Sequence, residues 1–347
     1  MQELFVGVDF HKKSSYVTGM SAEGKVVMRR QLANKKENWE RLLKEFPSES
    51  KVVVEATCNW YYLYELIENR FEVTLAHPLK TKAIASAKIK NDKVDSEILA
   101  HLLRADLIPA SYIPTRDVRD LRELLRYRIG MVRMRTILKN RIHAVLSKNG
   151  LIFPFSDVLG KKGEKWLRSL KLRQVYVDEI SGYLNLAASL TSCIQEAEKV
   201  ISAKAQLNDQ VRLLLSMPGI GEFSALLIHA EIGNIHRFPS AGKLCSYAGL
   251  VPSVRASGDR IKMGGITKQG SQWLRWIMVE AAHHLVTGSA TFKNYYERVK
   301  FKKGASVAKV AVARKALKII YYMLRNNTAY EEKGNGRMPL GSATEIA

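Results

Sequence analysis

The first hundred residues alternate between short apolar runs and amphipathic stretches. The runs ELFVGVDF, SSYVTGMSA and GKVVMRRQL are rich in β-branched and aromatic residues and are separated by short turns, so they predict an antiparallel three-stranded meander. KENWERLLKEF and NWYYLYELIENR have helical spacing, whereas KVVVEAT and FEVTLAH have the compact apolar character of buried strands. Three strands followed by alternating helices and strands predict a mixed sheet with helices packed on it.

The middle of the chain changes to strongly basic, helix-forming sequence. Residues 116–148 predict one long helix, and its apolar positions lie on one face. The basic face carries Arg119, Arg122, Arg126 and Arg133. A second helical run, about residues 172–206, follows the break NGLIFPF and predicts an antiparallel hairpin with the first. Two interpretations remain open: a clamp on a nucleic-acid backbone, or the solvated face of a structural coiled coil.

The C-terminal third reads as mainly helical. In LLLSMPGIGEFSALLIHAEIG two helical runs flank the turn at residues 218–221. Such a turn, here with Gly219 and Gly221, can present backbone N–H groups at a helix N-terminus to a DNA phosphate, as a helix–hairpin–helix does. An ordinary tight connection between helices explains it equally well. The stretch VRASGDRIKMGGITKQG predicts a loop, and helices are expected at about 271–286 and 306–324.

Charge and composition narrow the class of partner. The 347 residues include 55 Lys and Arg against 33 Asp and Glu, a net charge of +22, which suits a polyanion and nucleic acid foremost. Three widely spaced cysteines argue against a disulfide framework or a zinc ribbon. No apolar stretch approaches the roughly 18–20 residues of a membrane span, and the N-terminus lacks the pattern of a signal peptide. These features predict a cytoplasmic, nucleoid-associated protein without membrane contact.

Four carboxylates of the first domain form a candidate metal site, namely Asp9, Glu55, Asp92 and Asp95. Asp9 and Glu55 end two predicted strands and would share a sheet edge if those strands are neighbours. Asp92 and Asp95 are spaced i, i+3 and lie on one face of a helix. Several carboxylate oxygens suit Mg²⁺ or Mn²⁺, and two such ions about 3.5–4 Å apart can stabilise both oxygens of a phosphodiester displacement. Each acid alone is explained as well by a turn or surface position.

Ser271 stands where the basic, glycine-rich stretch GGITKQG meets the helical sequence SQWLRW. Serine is a favoured N-cap, which is its ordinary explanation. Lys262, Lys268 and Arg275 surround it in sequence, however, and the N-terminus of a helix favours a phosphate and a developing alkoxide. A serine nucleophile would keep the phosphodiester energy in a phosphoserine ester, so that strands can be rejoined without ATP.

Several motifs in order resemble the transposases and recombinases of the insertion-sequence 110 family: GVDFHKKS, VVVEAT, KNDKVDSEILAHLLR, MPGIGEFSALLIHAEIG, FPSAGKLCSYAGLVPS and GGITKQGSQWLRW. The resemblance covers about residues 4–324. It implies a RuvC-like, RNase-H-like domain whose DEDD tetrad is Asp9, Glu55, Asp92 and Asp95, and a C-terminal domain whose catalytic serine is Ser271. The sequence departs from the usual family pattern at Asn91, where threonine is usual, and at Ser96, where alanine is usual.

The resemblance also implies partners and an organisation into domains. Family members use a structured noncoding bridge RNA that pairs with donor and target DNA, and they assemble as homo-tetramers built from dimers. The fold expected is α/β plus α: a RuvC-like mixed sheet in residues 1–112, a basic helical coiled coil in 113–207 and a mainly helical transposase domain in 208–328. A polar, flexible tail is expected in 329–347.

The resulting hypothesis is an RNA-guided DNA recombinase in which Ser271 attacks a phosphorus held by carboxylate-bound Mg²⁺. The basic helix and the turn at residues 218–221 would contact nucleic-acid backbone. Two alternatives remain: a RuvC-like junction nuclease that activates water and needs no serine, and a non-catalytic nucleic-acid scaffold.

Overall fold

The computed structural model describes residues 3–57, 59–85, 91–206, 208–257 and 260–332, with only the backbone for 255–257 and 260–262. The chain divides into two compact units, Met1–Pro114 and Thr115–Ala347. No helix in the described part combines the length and apolar character needed to cross a membrane. Cys193 and Cys245 are free thiols, and Cys58 lies outside the described residues.

The first unit is a five-stranded mixed sheet with helices on both faces, as the sequence predicts. The strand order is β3-β2-β1-β4-β5, in which β1 to β3 form the antiparallel meander and β1, β4 and β5 run parallel. The strands are β1 (Phe5–Phe10), β2 (Ser14–Met20), β3 (Val26–Ala33), β4 (Lys51–Glu55) and β5 (Glu72–Ala76). The helices are α1 (Lys36–Leu43), α2 (Trp60–Ile67), α3 (Pro78–Ile84) and α4 (Asp92–Arg104).

Alternation along the central strands divides the core of this unit in two. Val52 and Val54 point into the larger cluster with residues of α1 and α2, such as Leu63, whereas Val53 lies on the other face with Leu99 of α4. Because the parallel strands are covered on both faces, they read as continuous apolar runs rather than as alternating ones.

Helix α4 packs very closely on β1 and β2. A Cβ atom on Gly7 would lie 2.1 Å from the carbonyl oxygen of Ser96 and 2.6 Å from the backbone nitrogen of Ala100. The buried hydroxyls of Thr18 and Ser96 are hydrogen-bonded at 2.7 Å. Ser96, which departs from the usual family pattern, therefore fixes α4 to β2 through a polar contact.

The second unit begins with a pair of long antiparallel helices. It contains α5 (Arg116–Lys148), α6 (Lys161–Ser169) and α7 (Gln174–Gln206). Arg128 Nε donates to Glu198 Oε1 at 3.0 Å and an Arg135 Nη donates to Thr191 Oγ1 at 3.4 Å, so residue numbers rise on α5 as they fall on α7. The predicted helical hairpin is thereby confirmed. The short amphipathic α6, absent from the prediction, covers the apolar end of the pair with Leu167.

The remainder of this unit packs helices around a buried α9. The helices are α8 (Asp209–Leu215), α9 (Glu222–Ile232), a 3₁₀ turn (Ile235–Arg237), α10 (Ala241–Tyr247), α11 (Gln272–Gly288), α12 (Ala290–Lys303) and α13 (Ala305–Asn326). Their core also receives Leu125 and Ile129 from α5. The α/β plus α fold class is thus confirmed, with a central pair of long helices.

One expectation about the C-terminal third is wrong. The stretch expected to be a loop contains an antiparallel hairpin, β6 (Pro252–Ser257) and β7 (Arg260–Ile266), because backbone pairing outweighs its basic, glycine-rich composition. The first residues of the expected polar tail contact the start of α12. Glu332 accepts hydrogen bonds from Ser289 Oγ at 2.7 Å and Thr291 N at 3.0 Å, and Tyr330 stacks on Phe292. Residues 333–347 of that tail lie outside the described residues.

Candidate functional site

Two predicted acids lie at one edge of the sheet in the first unit. Asp9 is the penultimate residue of β1 and Glu55 is the last residue of β4. The parallel register pairs Val8 with Val54, so Asp9 and Glu55 follow at the same level of neighbouring strands. Asp9 is 5% exposed, and burial of this extent is unusual for a carboxylate.

The other two acids lie in the first turn of α4, which starts at Asp92. Asn91 caps this helix, because its Oδ1 accepts the Val94 N–H at 2.8 Å. A threonine at this position would cap in the same way, so the departure from the family pattern preserves the geometry of the helix start. Asp95 lies three residues after Asp92, on the same face of the helix.

His11 joins the acids in a cluster that the sequence analysis did not identify. Its Nε2 lies 3.1 Å from Asp9 Oδ2 and 3.4 Å from Asp92 Oδ1, and the ligand atoms of these three residues lie within 4.8 Å of one another. Glu55 and Asp95 do not belong to this set of three. The spacing Asp-x-His across the end of β1 was the available signal in the sequence.

The electrostatics of Asp9 fit a cation at this position. The pKa of Asp9 is raised from 3.8 to about 6, chiefly by burial and also by the negative charges of Asp92 and Asp95, against the opposing effect of His11. A divalent cation bound by Asp9 and Asp92 would offset this cost of burying charge. Carboxylate oxygens suit Mg²⁺, and the imidazole of His11 is better tolerated by Mn²⁺.

Ser271 is the N-cap of α11, and its backbone is fixed against the end of α10. Its Oγ accepts the Leu274 N–H at 3.1 Å, and its own N–H donates to the Tyr247 carbonyl at 2.8 Å. Gly270 precedes it with φ +85°, and a Cβ there would meet the Tyr247 oxygen at 2.1 Å. Only glycine therefore lets the loop approach α10 closely enough to form this contact.

The Ser271 hydroxyl also donates to a buried carboxylate that sequence reasoning missed. The Oγ–Glu231 Oε2 distance is 2.8 Å, and Glu231, near the end of α9, is 2% exposed. The other oxygen of Glu231 accepts from an Nη of Arg126 at 2.9 Å. A single charged residue in the apolar run SALLIHAEIG was the signal available in the sequence.

A cavity of about 390 Å³ opens over Ser271. Its lining is largely cationic, polar and aromatic: Arg122, Arg126, Glu231, Tyr247, Lys268, Gly270, Ser271, Gln272, Trp273 and Arg275. Of the expected neighbours, Lys268 is exposed, and Arg275 donates to the Ala248 carbonyl at 2.9 Å. Lys262 belongs to β7, and its side chain lies outside the described residues. Positive charge beside a hydroxyl at a helix N-terminus suits an anionic substrate.

The predicted arginine clamp needs correction. Arg119 and Arg122 are only 3% and 7% exposed, because their face of α5 packs into the helical core. Arg122 donates to the carbonyls of Ala230 at 2.8 Å and Glu231 at 3.0 Å, so it supports the Ser271 pocket rather than facing solvent. Arg126 is partly exposed and paired with Glu231, while Arg133 is exposed over the rings of Trp273 and Trp276.

The turn at residues 218–221 lies between two helices, α8 and α9, as predicted, and its two glycines are exposed. Gly219 has φ +78° and lies against α11, where a Cβ would come within 2.6 Å of His284 Cβ, and Gly221 is the N-cap of α9. Glu222 follows in the first turn of α9 and accepts a hydrogen bond from Ser202. This carboxylate competes with a phosphate for the positive end of the helix.

Comparison with known proteins agrees with the architecture. Residues 6–150 match the transposase family of the IS110 DEDD type, and residues 211–297 match the family described as Transposase IS116/IS110/IS902 family. The chain is 25% identical over 343 residues to the transposase for insertion sequence element IS1111A of Coxiella burnetii, spanning 94% of this chain and 90% of that protein. It is 26% identical over 290 residues to the pilin gene-inverting protein of Moraxella bovis, spanning 81% and 82% of the two chains.

These matches fall on both candidate sites. The first covers the acidic cluster at the sheet edge, and the second covers Glu231 and Ser271. The two matches place the chain in the class of DNA-processing enzymes of the transposase and recombinase type. Within that class, it carries two domains that match models of the IS110-type transposases.

Proposed function

We propose that this protein is a DNA recombinase of a mobile element, which cuts and rejoins strands through a phosphoserine formed at Ser271. The observation that carries the proposal is the fixed hydroxyl of Ser271, held at a helix N-terminus in an open cavity lined by cationic side chains. The relatives named as an insertion-sequence transposase and a pilin gene-inverting protein support DNA strand exchange as the reaction.

In this proposal the residues of the first unit hold the scissile phosphate. Asp9, Asp92 and His11, with Glu55 and Asp95 beside them, would bind Mg²⁺ or Mn²⁺, which supplies Lewis-acid polarisation of a phosphoryl oxygen. The hydroxyl of Ser271 attacks the phosphorus, the Oγ–P bond forms, and the bond from phosphorus to the leaving sugar oxygen breaks. Reversal of these bond changes with a different strand completes rejoining without ATP.

Nucleic-acid contacts follow the distribution of charge. The net charge of +22 supports binding of donor and target DNA and of a structured guide RNA. We assign contact with the nucleic-acid backbone to the exposed cations Arg133 and Lys268 and to the backbone N–H groups of the turn at residues 218–221. A guide that reads sequence by base pairing would leave the protein to recognise shape and backbone. In keeping with the family resemblance, we propose a homo-tetramer acting on DNA in the cytoplasm.

The test separates the chemistry of Ser271 from its role as a helix cap. Ser240 is a matched control, because it caps α10 and its Oγ accepts the Lys243 N–H at 3.3 Å. We expect Ser271→Ala and Ser240→Ala each to cost about 1 kcal/mol of stability as lost N-caps. Only Ser271→Ala should abolish the covalent protein–DNA adduct, measured on a denaturing gel with nicked DNA and Mg²⁺.

The same experiment decides between the rival functions. A RuvC-like junction nuclease would continue to cut DNA after Ser271→Ala but would lose cleavage after Asp9→Asn. If the protein is a non-catalytic scaffold, even the wild type would form no adduct, and neither substitution would change its nucleic-acid binding. The recombinase requires loss of recombination with both variants.

A further inference from the structure

The only hydrogen of the Ser271 hydroxyl points at Glu231. Because Oγ accepts the Leu274 N–H at 3.1 Å, one of its lone pairs is occupied by the helix cap. The hydroxyl then donates to Glu231 Oε2 at 2.8 Å. One lone pair remains free, so the oxygen can approach an electrophile while its proton already faces a carboxylate.

Two arginines hold Glu231 in place, one at its carboxylate and one at its backbone carbonyl. An Nη of Arg126 donates to Oε1 at 2.9 Å, while Arg122 donates to the backbone carbonyl of Glu231 at 3.0 Å. Glu231 is 2% exposed, although it lines the cavity that opens over Ser271. A base held by a third group and within hydrogen-bond reach of a hydroxyl is the arrangement that activates a serine nucleophile.

We propose that Glu231 is the general base for Ser271, an inference that rests on the proposed function. As the Oγ–P bond forms, the hydroxyl proton passes to Glu231 Oε2, and the bond from phosphorus to the leaving sugar oxygen breaks. That oxygen takes a proton from water, and Glu231 returns its proton to the solvent. On rejoining, Glu231 takes up a proton from the solvent and gives it to Ser271 Oγ as the Oγ–P bond breaks, while the incoming sugar hydroxyl gives its proton to water as it bonds to phosphorus.

A purely structural role for Glu231 predicts different kinetics. The contacts of Glu231 with Arg126, Arg122 and Ser271 join α5, α9 and the start of α11. If Glu231 only held these helices together, its replacement would change the stability and the position of Ser271 by the same amount at every pH. Glu231→Gln keeps the size of the side chain and an amide oxygen for the Ser271 hydroxyl, but it cannot take the proton. Glu280→Gln is the matched control, since it removes an exposed carboxylate from α11, the helix that Ser271 caps.

The experiment measures single-turnover formation of the covalent adduct by the full-length protein on nicked DNA with saturating Mg²⁺ between pH 6 and 9. At pH 7 we expect Glu231→Gln to slow adduct formation by about 10²- to 10⁴-fold, the usual contribution of a general base. Its rate should rise about tenfold per pH unit as hydroxide replaces the base, while DNA binding stays that of wild type. Glu280→Gln should match wild type throughout.

Two results overturn the inference: a Glu231→Gln rate within threefold of wild type, or a slower rate whose pH profile parallels that of wild type. If the glutamine variant does not fold, Glu231→Asp keeps the charge facing Arg126 and withdraws it from Ser271 by about one carbon–carbon bond. It should then be about tenfold or more slower, since misplacement of this size is costly in catalysis, and a wild-type rate would refute the role. If Ser271→Ala still forms the adduct, the proposed function itself is refuted. If Ser271→Ala is inactive while Glu231→Gln is fully active, only the role of Glu231 as general base is refuted.

Discussion

The Asp9→Asn substitution replaces a buried carboxylate with an uncharged side chain of the same size. We expect it to stabilise the metal-free protein at neutral pH, although it should abolish activity. Asparagine can keep a hydrogen bond to His11, which now lies 3.1 Å from Asp9. It also removes the like-charge repulsion from Asp92 and Asp95 that contributes to the raised pKa of Asp9. Stability and function therefore change in opposite directions at this residue.

The magnitude follows from the pKa of Asp9, raised from 3.8 to about 6. Because folding raises this pKa, the charged form of Asp9 lowers the stability of the folded protein. This loss of stability is absent below the unfolded pKa and complete above the folded pKa. Linkage gives about 3 kcal/mol at pH 7, about half of that at pH 5 and less than about 1 kcal/mol at pH 4. The variant should gain these amounts relative to wild type, because asparagine carries no charge at any of these values of pH.

Hydrogen-exchange mass spectrometry of the full-length protein in EDTA measures this gain where it arises. Amides of β1 that exchange by unfolding of the unit should exchange about a hundredfold more slowly in Asp9→Asn at pH 7, because each tenfold change corresponds to about 1.4 kcal/mol. Comparison of variant and wild type at the same pH cancels the intrinsic exchange rates. Glu49→Gln is the control, since Glu49 is exposed in the connection between α1 and β4, and its effect should stay within about 0.5 kcal/mol.

Added Mg²⁺ or Mn²⁺ should reverse the comparison. Only wild type binds the ion tightly, and binding to the native state stabilises it by RT ln(1 + [L]/Kd). The reasoning is refuted if Asp9→Asn loses stability at pH 7 in EDTA, or if its gain is the same at pH 4 as at pH 7. It is also refuted if Mg²⁺ or Mn²⁺ slows exchange of the β1 amides as much in Asp9→Asn as in wild type.

Two further predictions concern packing and nucleic-acid contact. Gly7→Ala should cost about 1–3 kcal/mol or more in thermal unfolding, because the new Cβ would meet the backbone of α4, and Mg²⁺-dependent cleavage should fall as Asp92 and Asp95 move. Gly130→Ala, with open space at its Cβ, should be neutral or stabilising by up to about 1 kcal/mol, and equal effects of the two would contradict the packing argument. Arg133→Gln should reduce the slope of log K against log salt for duplex DNA by about 0.9, measured by fluorescence anisotropy, and an unchanged slope would remove Arg133 from the interface.

Local pattern was sufficient to predict most of the secondary structure. The strands of the first unit and the two long helices have strong periodicity, and such elements are determined mainly by their own residues. The hairpin of β6 and β7 was missed because its alternation is short and its composition favours a loop. Helix α6 was missed for a similar reason, since nine residues with an early glycine give a weak signal.

The sequence by itself determined which chemistry is available: carboxylates at strand ends, a serine before a helix and an excess of positive charge. The tertiary structure alone decided which of these groups meet. It placed His11 between Asp9 and Asp92, and it paired Glu231 with a serine 40 residues away in the chain. It also turned Arg122 inward, because a helix in a packed core must bury one face whatever charges that face carries. Such contacts depend on how elements dock, which the spacing along one element does not encode.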